Sequence, residues 1–258
     1  ELYDWGFRRV QVNATAVNGV YTEKLGEGST MESFLRTVKS HSKLEFIVQR
    51  NNETEPLWSA LLTMKDYPDN IVFLHDESKG TGKETSNWST DARFISSSKK
   101  VVGYAGGIKP SNVKLVAKNT RGIVICPRAN SSLAEGIPNI SLMQKSGCNI
   151  TIGTDNVMIN SPDIFREMDY LWKVTMGMSQ SRFEPKQILK MATVNAGKML
   201  NQKIGCIKEN YFADCLFINK NSLDLEPMNN VYASIVHRAS ENSINAVMIG
   251  GKIVNGKL

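Results

Sequence analysis

The sequence lacks any long run of apolar residues and any secretion signal. No stretch approaches the roughly 18 consecutive apolar residues that a membrane-spanning helix needs. The N-terminal residues Glu1 to Trp5 show no basic segment followed by an apolar block, which a signal peptide would have. We therefore expect no membrane partner and a cytoplasmic location.

Cysteine patterns that hold metals or disulfides are also missing. Cys126, Cys148, Cys206 and Cys215 show no Cys-x-x-Cys spacing, and they lie in or beside apolar segments. This placement favours reduced, mostly buried thiols over a disulfide framework or a zinc knuckle.

Basic clusters are absent as well, although the formal net charge is +6. The largest groups are pairs, such as Arg8–Arg9 and Lys99–Lys100. A nucleic-acid-binding face needs concentrated Lys and Arg, so we expect no nucleic-acid partner.

The chain does contain a regular alternation of two kinds of segment. Its 258 residues, 41% of them hydrophobic, suffice for a full core. Short apolar runs predict strands covered on both faces, and the segments between them repeat apolar residues at helical spacing. The predicted strands are Leu44–Val48, Ile71–Leu74, Val101–Val102, Ile123–Ile125 and Ile150–Gly153. The predicted helices are Met31–Val38, Pro56–Met64, Ser111–Lys118, Pro162–Val174 and Pro185–Leu200. The alternation predicts an α/β fold of βα units, and (β/α) barrels commonly have this length.

The pattern changes after Gly205. Phe212–Ile218 and Asn245–Val254 are typical of strands, and Gly250–Gly251 indicates a turn or bulge. We therefore predict a barrel domain over residues 1–203 and a small β appendage over residues 204–258.

One carboxylate, Asp155, comes where a buried strand stops and a loop leads into a helix. Gly153 permits close backbone approach before it, and Ser161 (N-cap), Pro162 and Asp163 indicate the start of the helix. A barrel enzyme keeps catalytic acids at such strand ends. The alternative is a turn former, in which the Asp side chain bonds its own backbone.

Five motifs in order give a family resemblance over roughly Ser97 to Leu258. They are Gly-Ile-Val-Ile-Cys-Pro-Arg-Ala-Asn at 122–130, Gly-Ile-Pro at 136–138, Ile-Gly-Thr-Asp-Asn-Val-Met-Ile-Asn-Ser-Pro-Asp-Ile-Phe-Arg-Glu-Met at 152–168, Met-Ala-Thr-Val-Asn at 191–195, and Ala213-Asp214 followed by Gly-Lys-Ile-Val at 251–254. Together they resemble the C-terminal half of the amidohydrolase superfamily, especially members similar to chlorohydrolases and cytosine or adenosine-type deaminases.

The resemblance implies a TIM-like (β/α)8 barrel with zinc or iron at its carboxyl mouth, where the metal activates water against a C–N bond of a small, cyclic substrate. It also implies a small β-sandwich built from both chain ends. In the family, the Asp of Gly-Thr-Asp binds the metal and handles the proton of the attacking water. Asp155 is then both a metal ligand and a catalytic residue.

The sequence departs from the family pattern in its histidines, since only His41, His75 and His237 occur. The family's first-strand His-x-His has no counterpart. His75 matches a metal ligand that the family has on a later strand. The position of the family's catalytic Glu is occupied by Ser78. Glu77, one residue away, takes the catalytic role only if a β-bulge shifts the register. The family's His-x-x-His falls on the stretch that begins at Tyr104, which we predict as a substrate contact.

Arg128 and Asn130 follow a buried strand and are further predicted substrate contacts, with loop-structuring hydrogen bonds as the alternative. We expect His41 to be exposed and His237 to be structural, within the β tail.

The N-terminal half has two alignments with the family. Leu2–Asn13 is typical of the second barrel unit, which would leave the first strand out of this sequence. Alternatively, Asn13–Val17 is the first strand, with Thr15 and Val17 in place of its two ligands. Neither alignment supplies the missing histidines, so the barrel is expected to be incomplete or its metal site depleted.

Three hypotheses follow. The chain is a metal-dependent hydrolase or deaminase of a small substrate; or it is a degenerate relative that keeps the scaffold to bind a small molecule or a partner chain, with no cofactor; or it is an incomplete barrel that pairs as an oligomer to cover its strand edges.

Overall fold

The computed structural model describes residues 4, 9–12, 30–49, 71–77, 101–105, 113–155, 157–178 and 184–257. The strands in these ranges are β1 Arg9–Val12, β2 Glu45–Gln49, β3 Ile71–Glu77, β4 Val101–Ala105, β5 Thr120–Ile125, β6 Ile150–Ile152, β7 Cys215–Ile218, β8 Ile244–Ile249 and β9 Lys252–Gly256. The helices are α1 Thr30–Ser40, α2 Val113–Asn119, α3 Pro127–Ser132, α4 Ile140–Lys145, α5 Ile164–Gly177, α6 Pro185–Ala192, α7 Val194–Leu200 and α8 Val231–Arg238.

The first six strands form one parallel sheet in the order β1-β2-β3-β4-β5-β6. Each strand is added on the same side of the previous one, so the order never reverses as it does in a doubly wound sheet. The predicted α/β fold with parallel strands is confirmed. Within the described ranges β6 does not pair with β1, so the sheet is not closed there.

The predicted strands and helices mostly match the structure. Helix Pro56–Met64 and the alternative strand Asn13–Val17 lie outside the described residues. The single helix predicted over Pro185–Leu200 is wrong, because the helical backbone breaks at Thr193, where φ is −129° and ψ is −95°.

The break at Thr193 has a tertiary cause. It lets the side-chain amide of Asn195 donate to the Ile150 carbonyl at 2.9 Å. In return, Asn149 Nδ2 donates to the Asn195 carbonyl at 3.1 Å. These bonds fix α7 against β6, and no periodic pattern along the helix encodes them.

Helix α5 also differs from its predicted start. Its N-cap is Asp163 and not Ser161, because Asp163 Oδ1 accepts from the backbone N–H groups of Phe165 and Arg166 at 2.9 and 3.2 Å. The buried face of α5 includes Met168 and Leu171, while Phe165 and Trp172 are only half-buried.

The core lies around β5 and β6. Ile123, Ile125 and Ile150 are at most 1% exposed, and helices α2, α5, α6 and α7 pack against these two strands. The buried apolar residues of these helices are Val113, Met168, Leu171, Ile188, Met191 and Met199. This packing makes the end of β6 a rigid base for the loop that follows it.

The C-terminal strands form a separate antiparallel sheet in the order β7-β8-β9. The predicted turn at Gly250–Gly251 is confirmed, with φ of 55° and 80°. His237 is not in a β segment as predicted but on α8, where its Nδ1 lies 3.4 Å from Asp169 Oδ1 and its ring packs edge-on against Trp172. The division at residues 203 and 204 stays a prediction. None of the described helices is long and apolar enough to cross a membrane.

Helices α3 and α5 meet at a buried carboxylate. The Glu167 side chain is 0% exposed, and its Oε2 accepts from the Arg128 backbone N–H at 3.0 Å. The other oxygen, Oε1, lies 3.5 Å from Arg128 Nη1. Burial raises the pKa of the Glu167 carboxyl, and the contacts with Arg128 oppose that rise.

The buried carboxylate predicts a pH-dependent difference between wild type and Glu167→Gln. A raised folded-state pKa means that this group's contribution to stability is fully present below its ordinary value of 4.5 and is lost as the pH rises through the folded-state pKa. The stability of Glu167→Gln relative to wild type should therefore increase as the pH rises from about 4 to about 7. Urea unfolding at a series of pH values measures this. Exposed Glu209→Gln is the control, and a pH-independent difference for Glu167→Gln would contradict the prediction.

Alanine substitutions at two glycines distinguish the energetic cost of backbone strain from that of steric overlap. Gly205 has φ of +84°, and an added Cβ would lie 2.4 Å from the Thr193 carbonyl oxygen; Gly147 has φ of +82° with nothing within 4 Å. We expect Gly205→Ala to lower the free energy of unfolding by about 3 kcal/mol or more, and Gly147→Ala by about 1 kcal/mol. Denaturant unfolding checks both, and equal losses would show that the overlap at Thr193 does not matter.

Candidate functional site

Asp155 is held at the carboxyl edge of the parallel sheet. It comes three residues after the end of β6, all of whose residues are buried, and Asp155 itself is exposed. Its φ is +50°, a left-handed conformation that is uncommon for a residue with a side chain. The geometry therefore presents an exposed carboxylate just beyond the end of a buried strand. The turn-former alternative, in which the side chain bonds its own backbone, stays a prediction.

The sheet register places His75 and Glu77 at the same edge. His75 pairs with Gly103, Gly103 with Ile123, and Ile123 with Ile150. His75 on β3 is therefore level with Ile150 on β6, three strands away. Ile150 precedes Asp155 by five residues. Glu77 is the last residue of β3. Across a flat sheet, three strand spacings amount to about 14 Å, so one ion reaches both residues only if the sheet curves strongly.

Two further predicted residues are located by the same register. Tyr104 pairs with Asp76 and with Val124, so it also lies towards the carboxyl edge. The pairing of β3 with β4 runs without a shift from Phe73 to Glu77, and the pairing with β2 runs without a shift from Ile71 to Leu74. These pairings therefore show no bulge of the kind that the catalytic role of Glu77 requires. The roles of Tyr104 and Glu77 stay predictions.

Arg128 and Asn130 bond to other parts of the protein. Arg128 Nη1 donates to the Ser161 carbonyl at 3.2 Å, in addition to its contacts with Glu167. Asn130 is 0% exposed; its Oδ1 accepts from the Cys126 N–H at 3.1 Å and its Nδ2 donates to Glu135 Oε2 at 2.9 Å. These contacts favour the loop-structuring alternative over substrate contact for both residues.

The Cys126 thiol lies inside this corner of the molecule. It is 3% exposed, and a Cβ added at Gly153 would lie 3.1 Å from its Sγ. Burial raises the pKa of Cys126 to about 12, and the negative charges of Asp155 and Glu167 add to the effect. The thiol is therefore protonated at physiological pH, and a buried, protonated thiol is a poor nucleophile. Cys126 is buried as predicted, but Cys148, Cys206 and Cys215 are only half-buried.

The described residues do not assemble a complete metal-binding set. His41 is exposed, as predicted, and its Nδ1 lies 2.9 Å from the Thr37 carbonyl oxygen; His237 pairs with Asp169 on the other side of the core. Over the described ranges, no three His, Cys, Asp or Glu side chains come together. A catalytic zinc site needs about three protein ligands, so Asp155 and His75 alone do not fit a complete one.

A cavity of about 960 Å³ lies elsewhere, between α5, α6 and the C-terminal sheet. It is lined largely by apolar side chains, among them Phe165, Leu189, Leu216 and Ile244. Asp155 is not among the residues that line the cavity, whereas Ser161, which lies just before α5, is.

The chain is similar to known proteins in its sequence profile, its sequence and its fold. The sequence profile of the amidohydrolase family matches residues 92–254, which is more than half of the chain. A Methanothermobacter thermautotrophicus protein, provisionally named an aminohydrolase, is 36% identical over 183 residues, covering 71% of this chain and 46% of the relative. A 5'-deoxyadenosine deaminase of Methanopyrus kandleri is 38% identical over 167 residues, covering 61% of this chain and 38% of the relative.

A solved structure shows the same fold. The crystal structure of an adenosine deaminase from Xanthomonas campestris, with bound zinc, superposes with a TM-score of 0.74 at 17% identity, covering 98% of this chain and 62% of the other. The chain spans about half the length or less of the curated relatives named above. The profile match, together with the sheet and the placement of Asp155, shows that this chain belongs to the amidohydrolase family.

Proposed function

We propose that the chain is the part of a metal-dependent hydrolase or deaminase that carries the last strands of a TIM-like barrel and acts on a C–N bond of a small, cyclic substrate. The observation that carries this proposal is Asp155, an exposed carboxylate in a left-handed conformation at the carboxyl edge of the sheet, inside the Gly-Thr-Asp of the matched segment. Carboxylates at this edge of a barrel are where its enzymes keep their catalytic groups.

The names of the relatives support the reaction class and suggest a substrate. One is a 5'-deoxyadenosine deaminase; a Pyrococcus horikoshii relative named 5-methylthioadenosine/S-adenosylhomocysteine deaminase is 25% identical over 217 residues, covering 82% of this chain and 49% of the relative. We therefore propose the exocyclic amine of an adenine nucleoside as the group removed. The enzyme would act in the cytoplasm on a free small molecule.

A divalent ion, zinc or iron, would lower the pKa of a bound water and so supply the nucleophile. On this chain Asp155 is the residue best placed to hold it, with His75 as a second ligand. The remaining ligands are not among the histidines of this sequence, since the other two lie elsewhere. The complete site therefore needs donors beyond the described residues.

Asp155 has a second proposed task, the transfer of a proton. A carboxylate accepts the proton that water loses as its oxygen attacks the ring carbon, and it then gives that proton to the leaving nitrogen. Because Asp155 is exposed, both the water and the leaving amine reach it from the open side of the sheet. Glu77, at the end of β3, remains a proposed second acid or base.

A second candidate is a degenerate relative that binds a small molecule or a partner chain without hydrolysis. It is favoured by the incomplete ligand set among the described residues. The edges of β1 and β6, which are unpaired over those same ranges, favour a third candidate, pairing with another chain as an oligomer.

Metal analysis separates the first candidate from the second. We expect the chain, after incubation with zinc and removal of excess, to retain about one equivalent, and Asp155→Asn to retain less than about 0.1 equivalent because the carboxylate ligand is lost. Exposed Glu241→Gln is the matched control and should behave as wild type. Less than about 0.1 equivalent on the wild type would reject the metal-dependent proposal.

Ammonia release tests the substrate class. With zinc present, 5'-deoxyadenosine and 5'-methylthioadenosine should release ammonia, whereas inosine, which lacks the amine, should not. Asp155→Asn should lower kcat by at least about 100-fold, because proton transfer contributes that much. A thermal shift with these nucleosides but no ammonia would support the degenerate binder instead.

A further inference from the structure

The loop that carries Asp155 is fastened at its beginning to the end of β5. The Gly153 N–H donates to the Ile125 carbonyl at 2.9 Å. A Cβ at Gly153 would lie 3.0 Å from Val124 Cγ1 and 3.1 Å from Cys126 Sγ, so the backbone is closely packed there. A side chain at this position would require the Val124 and Cys126 side chains to shift by a few tenths of an ångström.

The same loop is fastened at its far end by Arg128. The guanidinium Nη1 donates to the Ser161 carbonyl at 3.2 Å, which joins the first turn of α3 to the residues just before α5. The Arg128 side chain is only 16% exposed, whereas the accepting Ser161 lies at the surface. The donor carries a full charge, and a hydrogen bond from a charged donor is stronger than a neutral one.

Buried Glu167 keeps Arg128 in place. Its two oxygens contact the backbone N–H and the guanidinium of the same residue, at 3.0 and 3.5 Å. The carboxylate is 0% exposed, and the guanidinium is the cation that compensates its charge. Losing either partner leaves the other charge buried without compensation.

Between the two fastened ends, three successive apolar side chains are exposed. Val157 and Met158 are 64% and 91% exposed, and Ile159 is 46% exposed. Asp155 is exposed in its left-handed conformation. The direction of its carboxylate therefore depends on the contacts at Gly153 and Ser161 more than on packing in the middle of the loop.

We propose that Arg128 and Glu167 are positioning residues for Asp155: by clamping Ser161 to α3, they hold the loop from Gly153 to Ser161 and so fix the carboxylate at the carboxyl edge. The catalytic consequence rests on the proposed function. The loop restraint itself does not, since it is a property of the protein without any ligand.

Amide hydrogen exchange, followed by mass spectrometry on the 258-residue chain, tests the restraint directly. We expect peptides covering residues 154–161 to exchange at least about tenfold faster in Arg128→Ala than in wild type. Arg128→Lys, which keeps one charged donor, should recover part of the protection. Arg166→Ala is the matched control, because it removes an Arg–carboxylate pair, with Asp163 at 3.2 Å, that is exposed and does not reach α3.

Two results would overturn the proposal. One is unchanged exchange of residues 154–161 in Arg128→Ala; the other is equal acceleration in Arg128→Ala and Arg166→Ala. If Arg128→Ala does not fold, Glu167→Gln takes its place, since it keeps an oxygen for the Arg128 N–H but loses the charge that holds the guanidinium. It should accelerate the same peptides, and unchanged exchange would overturn the proposal equally.

Zinc affinity separates positioning from simple stability. Arg128→Ala should weaken zinc binding by about 10- to 100-fold, as loss of groups that orient a metal ligand does, and Arg128→Lys should restore part of it. A variant destabilised to the same extent elsewhere, Gly205→Ala, should bind zinc as wild type does. If wild type binds no zinc, the proposed function fails. The hydrogen-exchange result still tests whether Arg128 and Glu167 restrain the loop.

Discussion

The structure depends on one constraint, the sequential parallel pairing of six strands. Because every strand runs the same way, all of their carboxyl ends meet at one edge. Residues that are distant along the chain, such as His75 on β3, Arg128 after β5 and Asp155 after β6, are thereby brought to that edge. The buried ends of β5 and β6 give the edge a rigid base on which an exposed carboxylate is presented.

The region around Asp155 combines an exposed carboxylate with closely packed residues beneath it. On the support side, Cys126 is buried and neutral, Glu167 is buried beside Arg128, and Gly153 allows the backbone to approach. On the open side, Asp155 and its apolar neighbours face outward. This division is what a polar site needs, since the group that works stays accessible while the groups that hold it are shielded.

Much of the fold follows from local pattern, and the exceptions have tertiary causes. Continuous apolar runs such as Ile123–Ile125 identified the parallel strands because burial on both faces leaves that signature. The break at Thr193 was not predictable, because it serves bonds from α7 to β6. In the site, the sequence alone predicted that Asp155 is a carboxylate at the end of a strand. The contacts of Arg128 with Ser161 and Glu167 join residues 33 and 39 positions apart in the sequence, so no local pattern predicts them.

The proposed function requires Asp155 and His75 to hold one metal ion, and this in turn requires the sheet to curve strongly between β3 and β6. A double-mutant cycle on zinc affinity, with Asp155→Asn, His75→Asn and both together, tests it most directly. We expect each single change to weaken zinc binding at least about tenfold, and the second change to add much less once the first is made. Losses that add fully, or no loss at either position, would contradict it, because the two residues would then not share an ion.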